Sequence, residues 1–149
     1  MKSILKKLFQ PGEEKSSRSN CEHALRISVA ALLIEASRAD FDHDAAERTR
    51  ISLLLAQQFS LDDSALDELL REAHQEADNL VSLQHITRLL NEQFDRSMKT
   101  RVIEMMWQVV YADGVKHHYE EHLVRQVAEL LYVPHADFIR ARHKAEQRP

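Results

Sequence analysis

The sequence predicts an all-α, single-domain bundle of about seven helices. Gly and Pro are scarce, at 2 and 3 residues of 149, so the chain lacks the turn residues that a many-stranded sheet needs. Apolar residues instead recur at helical spacing, and the helix-favouring Leu, Ala, Glu and Arg are abundant. The length and the 44% hydrophobic content are typical of one domain with one core.

The chain begins with a short basic amphipathic segment, residues 1–9, in which the apolar residues share one helical face and three lysines lie elsewhere. The charged, Ser-containing stretch that follows is predicted to be a flexible linker, so residues 1–19 precede a folded domain over residues 20–149. Peripheral contact of residues 1–9 with anionic lipid, docking on the domain or on a partner, and disorder are the alternatives. Co-sedimentation with anionic vesicles, with and without residues 1–9, distinguishes them.

Three helices are predicted in the first half of the domain. Their predicted first or capping residues are Ser19 or Asn20, Asp44 with Glu47 as a capping-box-like pair, and Asp62 or Asp63. The first two helices are predicted to end near Ala39 and Phe59. The apolar residues predicted to face the core are Leu25, Val29, Leu32, Leu33, Ala36, Ile51, Leu54, Leu55, Leu66, Leu69, Leu70 and Ala73.

Four more helices are predicted in the second half. Their predicted first or capping residues are Ser82, Ser97, His118 and Pro134. The inward residues are predicted to be Leu83, Ile86, Leu89, Leu90, Met98, Val102, Met105, Met106, Val109, Val110, Val124, Val127, Ala128, Leu131, Phe138 and Ile139. The Met-rich stretch beside Trp107 is interpreted as core rather than as a ligand groove, because Met at helical spacing usually fills gaps between packed side chains.

The two halves contain an internal repeat. Three pairs of residues fall at identical offsets when the halves are aligned without gaps: Asp40 with Asp113, Glu47 with Glu120, and Phe59 with Tyr132. Each half is therefore predicted to contain two helices joined by a short loop. The Asp ends the first helix, the Glu lies in the first turn of the second, and the aromatic residue closes the second.

This pattern, Ala-Asp with a Glu seven residues after the Asp, resembles the tellurite-resistance protein B-like (TerB-like) family. The second copy has the Ala-Asp-Gly that the family favours, whereas the first has Phe41 in place of Gly. The resemblance covers roughly residues 24–145. It implies a pseudo-two-fold helical bundle, a link to tellurite and other chemical stress, and acidic motif residues suspected of binding a divalent metal. Carried over by position, these residues are Asp40, Glu47, Asp113 and Glu120.

Carboxylates are ligands that Ca²⁺ and Mg²⁺ prefer, so these cations are expected rather than Zn²⁺. The alternative is that the glutamates only complement helix N-termini, where a negative charge is favourable by about 0.3–1 kcal/mol. That alternative leaves Asp40 and Asp113 unexplained, because both fall near helix C-termini, where the helix dipole disfavours them.

Asp42 and Asp44 are additional candidate ligands in the first loop. With Asp40 they match the first three ligand positions of an EF-hand. An EF-hand also needs Gly at its sixth position and Glu at its twelfth, where this chain has Ala45 and Ile51. The sequence therefore excludes an EF-hand loop.

The stretch from His118 to His122 matches His-x-x-Glu-His, in which two His one helical turn apart hold Zn²⁺. Only 27 residues follow His122 to supply a third ligand. A small zinc hydrolase is therefore kept only as a distant alternative, beside adventitious Zn²⁺ or Ni²⁺ binding and a solvated helix face.

Charge and cysteine content limit the remaining functions. A net charge of −4 lacks the basic excess needed for nucleic acid, and the single Cys excludes an internal disulfide. No apolar run is long enough to span a bilayer, and the expected location is cytoplasmic, at or near the inner face of the membrane. The resulting hypothesis is a non-catalytic, metal-responsive stress-response module that acts through protein partners. Its first rival is a structural adaptor without metal.

Overall fold

The computed structural model describes residues 14–38, 45–79, 82–112 and 118–147. Over these ranges the chain forms seven helices and no strand, which confirms the predicted all-helical fold. In chain order the helices are α1 (Glu14–Arg38), α2 (Ala45–Phe59), α3 (Asp63–Asp78), α4 (Leu83–Gln93), α5 (Arg96–Val110), α6 (His118–Leu130) and α7 (His135–Glu146). The predicted amphipathic segment, residues 1–9, lies outside the described residues.

None of the helices in the described ranges is long and apolar enough to cross a lipid bilayer.

Helices α1 and α5 form the centre of the bundle. They pack against each other, and α2 and α6 each contact both of them. Every side chain in Ile27–Ile34 of α1 and in Val102–Val110 of α5 is buried, as expected for helices that others surround on several sides. Met105, Met106 and Trp107 are fully buried, so their interpretation as core is confirmed.

The first three and the last three helices pack in matching ways. The α1–α3 contact is the most extensive in the first half, and the α5–α7 contact is the most extensive in the second. The α1–α2 contact likewise has a counterpart in the α5–α6 contact. Buried residues also recur at equivalent positions: aligning the starts of α2 and α6 superimposes Ile51 on Val124 and Leu54 on Val127, all four buried. The two halves therefore have similar helix contacts and similar buried positions, while the internal repeat itself stays a prediction.

Helices α2 and α6 end with the same motif but at different residues of the predicted repeat. A residue just beyond each helix adopts the left-handed conformation: Ser60, directly after α2, has a φ of 53°, and Tyr132, two residues after the end of α6, has a φ of 57°. The N–H of Leu61 donates to the carbonyl five residues earlier (3.0 Å), and that of Val133 does the same (2.9 Å), which defines a Schellman motif. Phe59 is the last residue of α2, but Tyr132 lies beyond α6 and is 80% exposed. The prediction that an aromatic residue closes both helices is therefore wrong for Tyr132, because α6 has 13 residues and α2 has 15, so α6 ends two residues sooner after its start.

Side-chain caps mark the starts of three helices. Ser82 caps α4 as predicted, and Asp62 caps α3 by accepting a hydrogen bond from the Ala65 N–H (2.8 Å). The cap of α5 was predicted at Ser97, but the Asp95 carboxylate accepts from the Met98 N–H (2.8 Å) and starts the helix earlier.

Helix α1 was predicted to begin after a cap at Ser19 or Asn20, but it begins at Glu14. The second part of the predicted linker is therefore helical. The Glu, Lys and Arg residues of this stretch have good helix propensity, so the polarity that suggested a linker is equally compatible with a solvated helical turn.

Candidate functional site

Two buried glutamates are the most informative feature of the predicted metal site. Glu47 lies in the first turn of α2 and Glu120 in the first turn of α6, at equivalent positions of the two halves. Both side chains are 0% exposed. Their helices each pack on the central pair α1 and α5, so both carboxylates are carried into the bundle by equivalent helix starts.

The burial of these carboxylates bears on whether they bind a metal ion or only complement helix N-termini. A glutamate that only complements a helix N-terminus gains about 0.3–1 kcal/mol and functions well at the surface. Taking a carboxylate out of water costs several kcal/mol, and this cost must be offset by a hydrogen-bonded or cationic partner. The helix N-terminus alone is therefore too weak to account for the complete burial of Glu47 and Glu120.

The structure describes only some of the other predicted ligands. Asp40, Asp42, Asp44 and Asp113 lie outside the described residues. His118 begins α6, although its side chain is not among those described, and His122 is exposed on the same helix. Within the described ranges no group of three or more His, Cys, Asp or Glu side chains is positioned to hold a metal ion. Of the predicted ligands whose side chains the structure describes, Glu47 and Glu120 are buried and His122 is exposed.

A second polar cluster, which the sequence did not predict, joins α5, α6 and α7. Arg142 of α7 donates to the Glu121 carboxylate (3.2 Å), to the Glu146 carboxylate (3.1 Å) and to the Tyr111 hydroxyl (3.1 Å). The Tyr111 hydroxyl in turn donates to Glu146 (3.0 Å). The Arg142 guanidinium also lies over the Trp107 ring, 5.5 Å from its centroid. We call these five residues the Arg142 cluster.

The electrostatics of the Arg142 cluster favour its charged groups. Burial raises the pKa of Tyr111, which keeps the phenol protonated. Burial opposes the charges on Arg142 and Glu146, but their hydrogen bonds outweigh it, so the pKa of Arg142 is raised and the pKa of Glu146 is lowered. Two of its contacts are spaced one helical turn apart in the sequence, namely Trp107 with Tyr111 and Arg142 with Glu146. The sequence alone shows only this i, i+4 spacing, because the other contacts join residues that are distant in the chain.

The fold and the paired glutamates define a class: all-helical domains in which two equivalent helix junctions each carry a buried acidic residue. The family model described as tellurite resistance protein TerB matches residues 26–143, nearly the whole described domain. The chain belongs to this family, which confirms the resemblance seen in the sequence. Comparisons with curated proteins and with solved structures gave no match.

Proposed function

We propose that this protein is a non-catalytic, divalent-cation-binding helical module of the response to tellurite and related chemical stress. It acts through protein partners in the cytoplasm, at or near the inner face of the membrane. Membership of the TerB family supports the tellurite-related role. The complete burial of Glu47 and Glu120 at equivalent helix junctions is the observation that carries the cation-binding part.

The donor chemistry fits a hard cation. A divalent ion interacts favourably with a carboxylate in a buried environment, and Ca²⁺ and Mg²⁺ prefer oxygen ligands. The proposed ligands are Asp40, Glu47, Asp113 and Glu120, with Asp42 and Asp44 as additional oxygen donors in the first loop. The four main ligands are proposed to act as two linked halves of one site.

A structural adaptor without metal is the second candidate. The observation in its favour is that both glutamates lie in the first turn of a helix, where the backbone N–H groups and the helix dipole favour a negative charge. In that case Glu47 and Glu120 stabilise the helix junctions, and partner binding needs no ion.

Thermal unfolding of chelator-stripped protein with added Ca²⁺, Mg²⁺ or Mn²⁺ tests the metal proposal. A ligand at 100 times its Kd that binds only the folded state adds about 2.7 kcal/mol. In a domain of this size each kcal/mol raises Tm by about 2–4 °C, so a saturating cation should raise Tm by roughly 5–10 °C. Asp113→Asn and Glu120→Gln should each abolish this increase. They should change the stability of the metal-free protein little, because each keeps the side-chain size and most of its hydrogen-bonding capacity while it removes the charge that a cation needs.

The two candidates give opposite results in this experiment. If the glutamates only cap helices, the cations leave Tm unchanged, and Glu120→Gln lowers the stability of the metal-free protein. Glu129→Gln on α6 is the matched control, because Glu129 is exposed. This substitution should change neither the rise of Tm with cations nor the stability of the metal-free protein. Calorimetric stoichiometry completes the test: one ion per chain fits two linked halves of a single site, and two ions per chain contradict that arrangement.

A further inference from the structure

The first half of the molecule contains a cavity where the second half is filled. This first-half cavity has a volume of about 120 Å³ and lies between α1, α2 and α3. Its lining residues are Ile34, Arg48, Ile51, Ser52, Leu70 and His74. Ile34 and Ile51 are buried and form an apolar floor, whereas Arg48 is exposed. The cavity therefore opens to the surface beside a cation.

The Arg142 cluster occupies the matching place in the second half. Aligning Asp40 with Asp113 superimposes Ile34 on Trp107 and Arg48 on Glu121. Aligning the starts of α3 and α7 superimposes Leu70 on Arg142 and His74 on Glu146. Every one of these first-half residues lines the cavity, and every one of their second-half counterparts belongs to the Arg142 cluster.

A contact shared by the two halves supports this correspondence. Arg38 is the counterpart of Tyr111, and a guanidinium nitrogen of Arg38 lies 3.4 Å from the Nδ1 of His74. The Tyr111 hydroxyl makes the equivalent contact with Glu146 at 3.0 Å. The same two backbone positions are therefore in side-chain contact in both halves, although all four residue types differ.

The filling of the second half shows what the first half lacks. There the Trp107 ring occupies the space and the Arg142 guanidinium covers it, held by the carboxylates of Glu121 and Glu146. In the first half the smaller Ile34 leaves space, and Leu70 has no charged group with which to cover it. The first half thus has a cavity at the equivalent position, but it lacks the aromatic ring of Trp107 and the guanidinium of Arg142.

The charge of the rim is reversed between the halves. Two acidic residues hold a cation in the second half, whereas Arg48 and His74 border the first-half cavity. Arg48 makes no hydrogen bond or ion pair with any of the residues that the structure describes. Arg38 is paired with Asp78 (2.7 Å) and lies 3.9 Å from Glu35, so Arg48 is the principal cation left to receive an anion. A group that completes the first-half site must therefore be anionic where the second half uses a guanidinium.

We propose that the first-half cavity is a docking site for an acidic segment of a partner protein. An aliphatic side chain of that segment enters the cavity, and a neighbouring carboxylate pairs with Arg48. The volume of about 120 Å³ accommodates one such side chain and is far below the roughly 300–1,000 Å³ of cofactor and drug sites. Apolar anchors that fill a pocket beside a charged rim are typical of interface hot spots.

The basic segment formed by residues 1–9 is a poor occupant, because its three lysines would meet Arg48. This assignment rests on the partner-binding part of the proposed function and is independent of its metal-binding part.

Nuclear magnetic resonance with synthetic peptides tests the proposal. The probe is acetyl-Asp-Glu-Leu-Glu-Asp-amide, added to the ¹⁵N-labelled full chain in buffer with chelator. It should shift the amide signals of Arg48, Ser52, Leu70 and His74. Peptides in which Ser replaces Leu, or Lys replaces every acidic residue, should bind at least about tenfold more weakly, since each removes one of the two interactions.

Two variants examine the site from the protein side. Arg48→Glu should weaken binding of the acidic peptide by about tenfold or more, and Ile34→Trp should block it by filling the cavity as Trp107 does. Arg71→Glu is the matched control, because Arg71 is exposed on α3 beside Leu70 and does not line the cavity. Since Arg48 is exposed, its variant keeps the test valid even if Ile34→Trp does not fold.

Three results would overturn the docking proposal. They are unchanged binding in Arg48→Glu, equal binding of the three peptides, and the same amide shifts on concentrating the protein without peptide, which would place a second copy of the chain in the cavity. A normal rise of Tm with cations alongside any of these would reject the docking site and leave the metal proposal intact.

Discussion

The two halves of the molecule use one arrangement of helices but complete it differently. In the second half the Trp107 ring fills the space, and Arg142 of α7 connects to α6 through Glu121 and to the end of α5 through Tyr111. In the first half Ile34 and Leu70 occupy the equivalent positions, and a cavity of about 120 Å³ remains. At this position the second half is closed by its own side chains, whereas the first half keeps an opening that a partner can fill. The comparison teaches that equivalent backbone positions can serve stability in one half and recognition in the other.

Removal of Trp107 should have the largest effect on stability. Truncating a fully buried aromatic residue to Ala costs about 3–5 kcal/mol, and Trp107→Ala should reach this range because the indole contacts Tyr111, Phe138 and Arg142. Ile34→Ala should fall toward the lower end of the about 2–5 kcal/mol typical of Ile, because Ile34 already borders a cavity. Urea unfolding measures both, and equal losses would contradict the closer packing around Trp107 than around Ile34.

Replacement of Arg142 by Leu gives the second half the residue type found at Leu70. The variant removes the cation shared by Glu121, Glu146 and Tyr111, so we expect a loss of about 1–2 kcal/mol in the free energy of unfolding. Arg125→Leu is a fitting control, because Arg125 also lies over a ring, that of Phe138 (5.4 Å), but is exposed. Its loss should stay below about 1 kcal/mol. If the control loses as much as Arg142→Leu, the cluster does not act as a tie between helices.

Glycine substitutions sharpen the difference at the ends of α2 and α6. Ser60 and Tyr132 adopt positive φ, which costs a non-glycine residue roughly 1–2 kcal/mol. Ser60→Gly and Tyr132→Gly should therefore each raise stability, by up to about 1 kcal/mol once the greater freedom of the unfolded chain is counted. Leu131→Gly should instead destabilise, because Leu131 is fully buried. Thermal unfolding of the three variants measures these changes, and a loss of stability in Tyr132→Gly would contradict the left-handed conformation at Tyr132.

The pH dependence of the free energy of unfolding should show the smallest difference between the halves. In α7 a hydrogen bond from Arg96 (2.9 Å) lowers the pKa of Asp137, so this group contributes stability above its unfolded pKa of about 3.9 and loses it as the pH falls through the lower folded value. In α1 burial raises the pKa of Glu35, with Arg38 offsetting part of the effect, so ionised Glu35 is destabilising at neutral pH.

The two corresponding variants should therefore shift stability in opposite directions. Asp137→Asn should be less stable than wild type at pH 7, and the difference should shrink below about pH 4. Glu35→Gln should be as stable as wild type or more stable at pH 7, and its advantage should disappear as the pH falls through the raised pKa of Glu35 and the wild-type carboxyl takes up its proton. Unfolding curves from pH 3 to pH 7 measure both, and losses of the same sign at pH 7 would contradict the assignment.

The sequence by itself determined the helical fold, most helix boundaries and the main core positions, because these depend on local rules. Helical periodicity placed Ile51, Leu90 and Val127 in the core, and Asp62 and Ser82 cap helices through hydrogen bonds within their own turns. The family also followed from local spacing, since the Asp-to-Glu pattern is legible along the chain.

Tertiary packing alone decided the features on which the proposals depend. A Glu in a first helical turn is normally solvated, and only the packing of α2 and α6 against α1 and α5 buries Glu47 and Glu120. The Arg142 cluster and the first-half cavity each draw side chains from three helices, so residues distant in the chain must first be brought together. Side-chain volume then decided the outcome: Trp107 fills the space that Ile34 leaves open, because a packed interior has few voids and each depends on the size of its neighbours.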